Sequence, residues 1–213
     1  MQAGILGSGT VGQHLAVGLR KSGYDVCLGT RNPEKLRDWA ADAGAGVRVG
    51  SFGDAAAHGE LLFLATGWAG TENAIQLADP GNFAGKILVD VTNPLHFPTP
   101  GAPPEPALAY PESAGKHIQS LLPECRVVKC FNSITAAYMA NPVLTEGTPD
   151  MFLAGNDAEA NQQVARLGEQ WGWRIHDMGG IEQSYLLEAL AMLWIRYGFL
   201  NQHWTHAFKL LMK

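Results

Sequence analysis

The chain has 213 residues, of which 46% are hydrophobic and 16% charged, and its formal net charge is -5 at pH 7. This composition supports a packed core and is not that of a disordered chain. The length suits one large domain, alone or with a small appendage. The acidic balance argues against nucleic acid and anionic membrane as main partners.

The chain starts without the features of a secretory signal, since Met1 leads almost directly into the apolar run Ala3–Leu6. The most apolar region, near the C-terminus, is interrupted by Glu188 and Arg196. Between these charges lie far fewer residues than the ~20 that a membrane-spanning helix needs. The three cysteines are odd in number and include no C-x-x-C pair, so they do not indicate a disulfide framework. We therefore expect a soluble, cytoplasmic protein with no membrane contact.

Short apolar runs alternate with helical patterns along most of the chain. The runs show little alternation of polar and apolar residues, which is typical of strands covered on both faces. They predict strands at Gln2–Leu6, Tyr24–Leu28, Val47–Val49, Leu61–Ala65, Ile87–Val91, Val127–Cys130, Met151–Ala154 and Arg174–His176. Helices are predicted at Gly12–Lys21, Pro33–Ala43, Thr71–Ala78, Ser113–Leu121 and Asp157–Trp171. This order predicts an α/β fold with a Rossmann-type, doubly wound, mostly parallel sheet.

The predicted helices have recognisable boundary residues. We expect the side chain of Asn32 to cap the second helix, because its oxygen can accept from free N–H groups of the first turn. Pro33 suits the first helical position, and Gly44 suits the left-handed conformation that ends a helix. Asn156 offers a similar start to the helix predicted from Asp157.

A proline-rich stretch follows the fifth predicted strand. The segment Phe97–Pro111 contains six prolines and can be neither a helix nor a central strand. A long loop of this kind is either a surface linker or a wall over an active site, and the sequence leaves both open.

The segment Glu182–Lys213 is not followed by a strand and is predicted to be one long or broken helix. We expect residues 1–180 to form the sheet domain and residues 181–213 a helical extension that packs on that domain or across a dimer. A homodimer is favoured because the apolar residues span too wide an arc for one sheet face to cover. These residues are Leu186, Leu190, Leu193, Trp194, Tyr197, Phe199, Leu200, Trp204 and Phe208.

The first strand leads into the sequence Gly7-Ser8-Gly9-Thr10-Val11-Gly12, which fits the pattern G-x-G-x-x-G. The pattern alone is weak, but a preceding strand and a following helix are the context of a dinucleotide-binding turn. Gly7 permits the tight turn, Gly9 lets the backbone approach a pyrophosphate, and Gly12 lets the helix pack on the sheet. The helix N-terminus then presents free N–H groups to the phosphates.

The end of the second strand indicates which dinucleotide binds. An NAD-selective site has an acid there, which accepts hydrogen bonds from ribose hydroxyls. This chain instead has Thr30 and Arg31, followed by Asn32 and, one turn on, Lys35. A guanidinium attracts a 2′-phosphate that a carboxylate would repel. The residues therefore predict NADP(H), with a solvated surface arginine as the alternative.

From Gly29-Thr30-Arg31-Asn32-Pro33 onward, the chain resembles the NADPH-dependent coenzyme F420 reductases and their relatives, which include the cytosolic domains of six-transmembrane ferric reductases. The resemblance covers nearly the whole chain. Its motifs are Val89-Asp90-Val91-Thr92-Asn93-Pro94-Leu95, Val128-Lys129-Cys130-Phe131-Asn132-Ser133-Ile134, Phe152-Leu153-Ala154-Gly155-Asn156-Asp157 and Met178-Gly179-Gly180.

The resemblance implies that NADPH lies across the C-terminal ends of the strands, with the ring of an acceptor near the nicotinamide. It also implies a dimer to which the C-terminal helices contribute. The residues implied to line the cleft are Thr66, Asn93, Pro94, Asn132, Ser133, Ile134 and Ala136. Ordinary turn capping is the alternative for the threonine and the two asparagines.

We expect an NADPH oxidoreductase that passes hydride to a small-molecule electron acceptor, either F420 or a flavin. Such transfer depends on how the two rings are positioned more than on an acid or base. For this reason no catalytic side chain is predicted. The alternatives are an NADPH reductase of a carbonyl or imine, with His96, Tyr110 or Tyr138 as proton donor, and a non-catalytic NADP(H) sensor. His203 and His206 lack further ligands, so no metal is predicted.

Overall fold

The computed structural model describes residues 1–212, and a twisted sheet lies at its centre. The strands are β1 (Gln2–Leu6), β2 (Asp25–Gly29), β3 (Val47–Gly50), β4 (Leu61–Leu64), β5 (Ile87–Asp90), β6 (Leu95–His96), β7 (Glu105–Pro106), β8 (Arg126–Lys129), β9 (Asp150–Gly155) and β10 (Arg174–Asp177). Eight of them form one sheet in the order β10-β9-β8-β5-β4-β1-β2-β3, and β6 pairs with β7 separately.

The main sheet is parallel from β3 to β8, and β9 then runs antiparallel to β8. The α-helices are α1 (Thr10–Lys21), α2 (Arg37–Ala43), α3 (Phe52–His58), α4 (Thr71–Leu77), α5 (Ala114–Leu121), α6 (Ala136–Met139), α7 (Ala158–Trp171) and α8 (Ser184–Asn201). The predicted doubly wound, mostly parallel Rossmann-type sheet is confirmed, and the main-sheet strands lie within one residue of their predicted bounds.

Alternation along the strands divides the core into two layers. In β4, Leu61 and Phe63 pack with α1, α6 and α7, whereas Leu62 and Leu64 pack with α3, α4 and α5. Successive side chains of a strand point to opposite faces, so an all-apolar strand needs helices on both sides. Within the described part of the chain, no helix is long and apolar enough to cross a membrane.

Helix α3, between β3 and β4, was not predicted from the sequence. Its first turn is held by a reciprocal cap, in which Ser51 Oγ accepts from the Asp54 N–H at 3.0 Å and the Asp54 carboxylate accepts from the Ser51 N–H at 2.8 Å. This Ser-x-x-Asp spacing is the signal that could have located the helix, because it satisfies two free donors at once.

Two predicted caps are wrong in detail. Asn32 precedes a 3₁₀ turn over Pro33–Leu36, but its side chain makes no capping hydrogen bond, and α2 starts only at Arg37. Asp157, one residue later than expected, caps α7 by accepting from the Ala160 N–H at 2.8 Å. Asn156 instead accepts from the Ile181 N–H, which ties the turn before α7 to the turn before α8.

The predicted C-terminal helix over Glu182–Lys213 is too long at both ends. Helix α8 ends at Asn201, where Gln202 takes a left-handed conformation with φ of 50°, and Lys213 lies outside the described residues. The chain then folds back along α8, because the missing side chain of Gly198 leaves room for the Trp204 ring. Asp150 fixes this tail, since its backbone N–H donates to Phe208 O at 2.9 Å.

Candidate functional site

The turn between β1 and α1 uses its three glycines in different ways. Gly7 has φ of 121°, and an added Cβ would lie 2.4 Å from the Ala65 carbonyl oxygen. At Gly12 an added Cβ would lie 1.8 Å from the Gly7 oxygen. Gly9, by contrast, has an extended backbone, and an added Cβ would meet no atom within 4 Å. The fold therefore requires Gly7 and Gly12, while Gly9 borders open space.

That open space fits the phosphates of a dinucleotide. Helix α1 starts at Thr10 with no side-chain cap and no acidic residue in its first turn, so its free N–H groups and positive dipole end remain available to an anion. The pyrophosphate of a dinucleotide binds in such a place. Thr10 is exposed and Val11 half-buried, both in this first turn.

A cleft of about 250 Å³ extends from this turn across the ends of β1, β2 and β4. Its lining contains no acidic side chain and a single cation, the exposed Arg31. Asn32 and Lys35 are exposed on the adjacent surface. The lining residues are Gly7, Ser8, Gly9, Thr30, Arg31, Phe52, Ala65, Thr66, Gly67, Gly70 and Asn73.

Hydrogen bonds hold three of the polar side chains of this cleft in place. The Ser8 hydroxyl donates to Thr30 Oγ1 at 2.9 Å, which joins the glycine-rich turn to the end of β2. Thr66 Oγ1 lies 2.9 Å from Thr71 Oγ1, across the turn that leads into α4. Hydrogen bonds therefore hold the turns that border the cleft.

A second cleft, of about 510 Å³, lies between α8 and the segment after β5. Tyr110 and Tyr185 both line it, and their rings meet edge to face with centroids 4.8 Å apart. Residues 106–110 of the proline-rich stretch line this cleft, whereas residues 97–105 do not. The lining residues are Asn93, Pro94, Leu95, Pro106, Ala107, Leu108, Ala109, Tyr110, Glu112, Tyr185, Glu188, Ala189 and Met192.

Asn93 and Asn132 fasten the turns after β5 and β8 to each other. Asn93 Nδ2 donates to Asn132 O at 2.8 Å, and Asn132 Nδ2 donates to Asn93 Oδ1 at 3.0 Å. Asn132 Nδ2 also donates to Leu187 O in α8, at 2.9 Å. Asn132 therefore ties the turn after β8 to α8, and Asn93, which is bonded to Asn132, lines the second cleft.

The other three residues of the predicted cleft lie elsewhere. Ser133 and Ile134 are buried, and the Ser133 hydroxyl faces the sulfur of Met151. Ala136 borders a separate hollow between α1 and α6. None of these three residues, nor Asn132, lines either of the two clefts described above, whereas Thr66, Asn93 and Pro94 do.

The structure reveals a buried ion cluster that was not expected from the sequence. Lys129 Nζ, fully buried, donates to Asp90 Oδ2 at 2.9 Å and to Thr92 O at 2.6 Å, and lies 3.0 Å from Glu188 Oε1. The Glu188 carboxylate also accepts from the Ala114 and Gly115 N–H groups at the start of α5. One carboxylate thus joins α8, α5 and the sheet.

The cluster keeps the lysine charged. Burial acts to lower the pKa of Lys129, but the carboxylates of Asp90 and Glu188 outweigh it and raise the pKa above its ordinary value. The signal in the sequence was a charge at the end of two short apolar strands, Asp90 in β5 and Lys129 in β8, and Glu188 within the mainly apolar helix α8. Charged residues are almost never fully buried unless they are paired.

Residues 1–212 contain no group of three or more His, Cys, Asp or Glu that could hold a metal ion. His203 and His206 stack in the C-terminal tail. The three cysteines are free and buried, and burial raises the pKa of Cys125 to about 12. A thiol with so high a pKa is a poor nucleophile.

Comparison with known proteins identifies the family. Residues 2–94 match the family model of coenzyme F420-dependent NADP oxidoreductases. The chain is 32% identical to the F420-dependent NADP reductase of Methanocaldococcus jannaschii over 211 residues, which cover 92% of this chain and 91% of that protein. The chain belongs to the F420-dependent NADP oxidoreductase family. The resemblance inferred from the motifs is thereby confirmed.

Two further relatives differ in how much of their own length this chain covers. A crystal structure from Arthrobacter sp. FB24, described as a candidate F420-dependent NADP reductase, has a TM-score of 0.92 and 35% identity, with 99% of both chains covered. The metalloreductase STEAP3 of Rattus norvegicus is 32% identical over 192 residues, which are 90% of this chain and 36% of that protein. The chain therefore spans about a third of that relative's length.

The ion cluster predicts a large loss of stability on removal of its cation. In Lys129→Met, Asp90 and Glu188 are left buried without their partner, which costs about 3–5 kcal/mol. Lys116→Met is the matched control, because it removes an exposed pair with Glu112 worth less than about 1 kcal/mol. Urea unfolding measures both free energies. Equal losses in the two variants would contradict a structural role for the cluster.

The glycine-rich turn predicts that binding and folding can be separated. In Gly9→Val the new side chain occupies the space proposed for the pyrophosphate, and we expect dinucleotide binding to be abolished with Tm within about 4 °C of wild type. In Gly12→Val the side chain meets the Gly7 carbonyl, so we expect the fold itself to fail. Calorimetric titration and thermal unfolding test the pair. A folded Gly9→Val protein with unchanged affinity would rule out this turn as the phosphate site.

Proposed function

We propose that the protein binds NADP(H) in the cleft between Gly7 and Asn73 and transfers hydride between it and a planar ring of the flavin or F420 (deazaflavin) type in the second cleft. The observation that carries the proposal is the position of the two clefts. The first reaches Thr66, two residues past the end of β4, and the second reaches Asn93, three residues past the end of β5, and these strands are parallel neighbours. Ligands of open α/β sheets bind at such strand ends.

The choice of NADP(H) over NAD(H) rests on the end of β2. Arg31 lines the first cleft and makes no ion pair within residues 1–212, whereas the nearby Arg37 is paired with Glu34. A 2′-phosphate on the adenosine ribose would give this guanidinium a partner. The carboxylate that would select NAD is absent from the lining, where Thr30 stands instead. NADP(H) also agrees with the family to which the chain belongs.

The second cleft suits a ring acceptor. Its volume lies in the range of about 300–1,000 Å³ usual for small-molecule sites, and its walls are mainly apolar. The Tyr110 and Tyr185 rings that line it can stack on a flat ligand. When NADPH is bound it supplies the hydride, and this chain's residues hold the two rings in place and exclude water.

Arg31→Ala tests the cofactor assignment. Loss of a hydrogen-bonded charge pair with the 2′-phosphate, worth about 1.5–3 kcal/mol, should weaken NADP(H) binding roughly ten- to a hundredfold and leave NAD(H) binding nearly unchanged. Arg37→Ala is the control, because its guanidinium is engaged by Glu34. The measurement is the dissociation constant of each variant for both cofactors. An equal loss of affinity for NADP(H) and NAD(H) would contradict the assignment.

The hydride transfer itself is tested with an acceptor panel. We expect NADPH to be oxidised in the presence of flavins or F420, as seen by loss of nicotinamide absorbance. Tyr185→Ala should raise the KM for the ring about three- to tenfold, the size of an aromatic contact, while Tyr185→Phe stays close to wild type. Oxidation by carbonyls or imines alone would favour the reductase alternative. Tight NADPH binding with no turnover would favour a sensor.

We also propose that the protein is a homodimer joined along α8. Its apolar stripe remains exposed at Leu186, Leu193, Tyr197 and Leu200, spaced by seven, four and three residues as on one helix face. Trp194, expected among the dimer contacts, is instead buried against the tail of its own chain, where its indole N–H donates to His206 O. The proposed contact is therefore narrower than the sequence suggested.

A charged double variant tests the dimer. Leu193→Asp with Leu200→Asp places two carboxylates on the stripe, and we expect a monomer that still binds NADPH. Leu77→Asp, at a similarly exposed leucine on α4, is the control and should stay dimeric. Light scattering at micromolar concentration gives the mass. A monomeric wild-type protein under these conditions would overturn the proposal.

A further inference from the structure

One side of the first cleft is left over once the phosphates of the dinucleotide are assigned. In the proposed function, the glycine-rich turn takes the pyrophosphate and Arg31 takes the 2′-phosphate. Gly67, Gly70 and Asn73, from the turn after β4 and the start of α4, line the same cleft. The 2′-phosphate is carried by the adenosine ribose, so the base on that ribose must lie in the cleft that Arg31 borders. This remaining side of the cleft is therefore the place for the adenine.

The backbone on this side leaves room for a flat base. Gly67 has φ of -66° and Gly70 has φ of -104°, values that residues with a side chain also adopt. An added Cβ at either position would meet no atom within 4 Å, as at Gly9 in the glycine-rich turn. The fold therefore does not require glycine at these positions, and open space faces the chain there.

The other polar side chains of the cleft are already engaged. Ser8 and Thr30 are hydrogen-bonded to each other, and Thr66 is bonded to Thr71. Arg31 is assigned to the 2′-phosphate. Asn73 is exposed, and no hydrogen bond within residues 1–212 occupies its amide. The side chain that remains to recognise a base is thus an uncharged amide.

Helix α4 holds this amide in a fixed place. Ala74 and Ile75, which follow Asn73, are buried in the core beneath the helix. Glu72, which precedes it, pairs with His117 of α5 at 2.7 Å and does not line the cleft. A site carried by a packed helix is more precise than one on a loop.

We infer that Asn73 recognises the adenine of NADP(H), with its amide oxygen accepting from the N6 amino group and its NH₂ group donating to N7. The inference rests on the proposed function and adds a selectivity for the base. An amide carries both a donor and an acceptor, so it matches a base edge that presents one of each. Asparagine pairs with adenine at N6 and N7 in this bidentate way.

NADP⁺ and nicotinamide hypoxanthine dinucleotide phosphate form a matched pair for the test. They share every phosphate and sugar and differ at C6 of the purine, where a carbonyl replaces the amino group. The amide oxygen of Asn73 would then face a second acceptor. We expect calorimetric titration to show about three- to tenfold tighter binding of NADP⁺, the effect of about one hydrogen bond.

Two variants on α4 separate recognition of the base from the stability of the helix. Asn73→Ala should bring the ratio of the two dissociation constants to about one by weakening NADP⁺ binding alone. Gln76→Ala removes an amide from an exposed position of the same helix, outside the cleft, and should keep the wild-type ratio. Equal weakening of both dinucleotides by Asn73→Ala would contradict the inference, because a purely structural role affects both alike.

The same titrations with NAD⁺ and its deaminated analogue distinguish the inference from the proposed function. Equal binding of NADP⁺ and its deaminated analogue by the wild-type protein overturns the inference and leaves NADP(H) binding and hydride transfer intact. A preference for adenine in both pairs, without a preference for the 2′-phosphate, supports the inference and contradicts the choice of NADP(H). Preferential binding of NADP⁺ over its analogue with no oxidation of NADPH by any acceptor supports the inference and overturns hydride transfer. Absence of binding by all four dinucleotides overturns both.

Discussion

The buried charge of Lys129 constrains the positions of the strands and helices around the second cleft. Lys129 cannot keep its charge away from water unless it is paired and its donors are satisfied, and its partners are Asp90 on the neighbouring strand, Thr92 O and Glu188. Because Glu188 comes from α8, this contact ties that helix to β8 and β5. The same carboxylate caps α5, so one ionic contact sets the relative positions of two helices and the sheet.

This constraint connects stability to the proposed function. A buried ion pair is weak evidence for stability, because desolvation offsets much of the attraction and apolar replacements are often as stable. Here one member of the cluster, Glu188, also lines a cleft. The asparagine pair after β5 and β8 adds a second tie to α8 through Leu187. We propose that these ties hold the acceptor cleft at a fixed distance from the cofactor cleft.

Much of the fold could be predicted from the sequence because its signals are local. Apolar runs identified the eight strands of the main sheet, and the spacing of Gly7, Gly9 and Gly12 identified the turn into α1. The geometry of that turn agrees with the roles expected of Gly7 and Gly12. Helix α3 was missed although its local signal, the Ser51–Asp54 cap, is present in the sequence.

The site was less predictable because it depends on contacts between distant segments. Glu188 lies far along the chain from Lys129 and Asp90, and nothing in the sequence pairs them. The end of α8 depends on the Trp204 ring filling the space over Gly198, which no periodicity reveals. The wall formed by the proline-rich segment also requires α8 to be in place, so its role stayed open until the structure showed both sides of the cleft.

The central claim is that the two clefts are close enough for direct hydride transfer. It is tested most directly with NADPH deuterated at C4 of the nicotinamide, each face in turn, and 5-deazariboflavin as acceptor under single-turnover conditions. The C5 hydrogen of a reduced deazaflavin does not exchange with water, so mass spectrometry reports its origin. We predict that one deuterium per NADPH oxidised, from one face only, appears on the deazaflavin. Reduced deazaflavin without deuterium from either face, or NADPH bound with no reduction at all, would contradict the account.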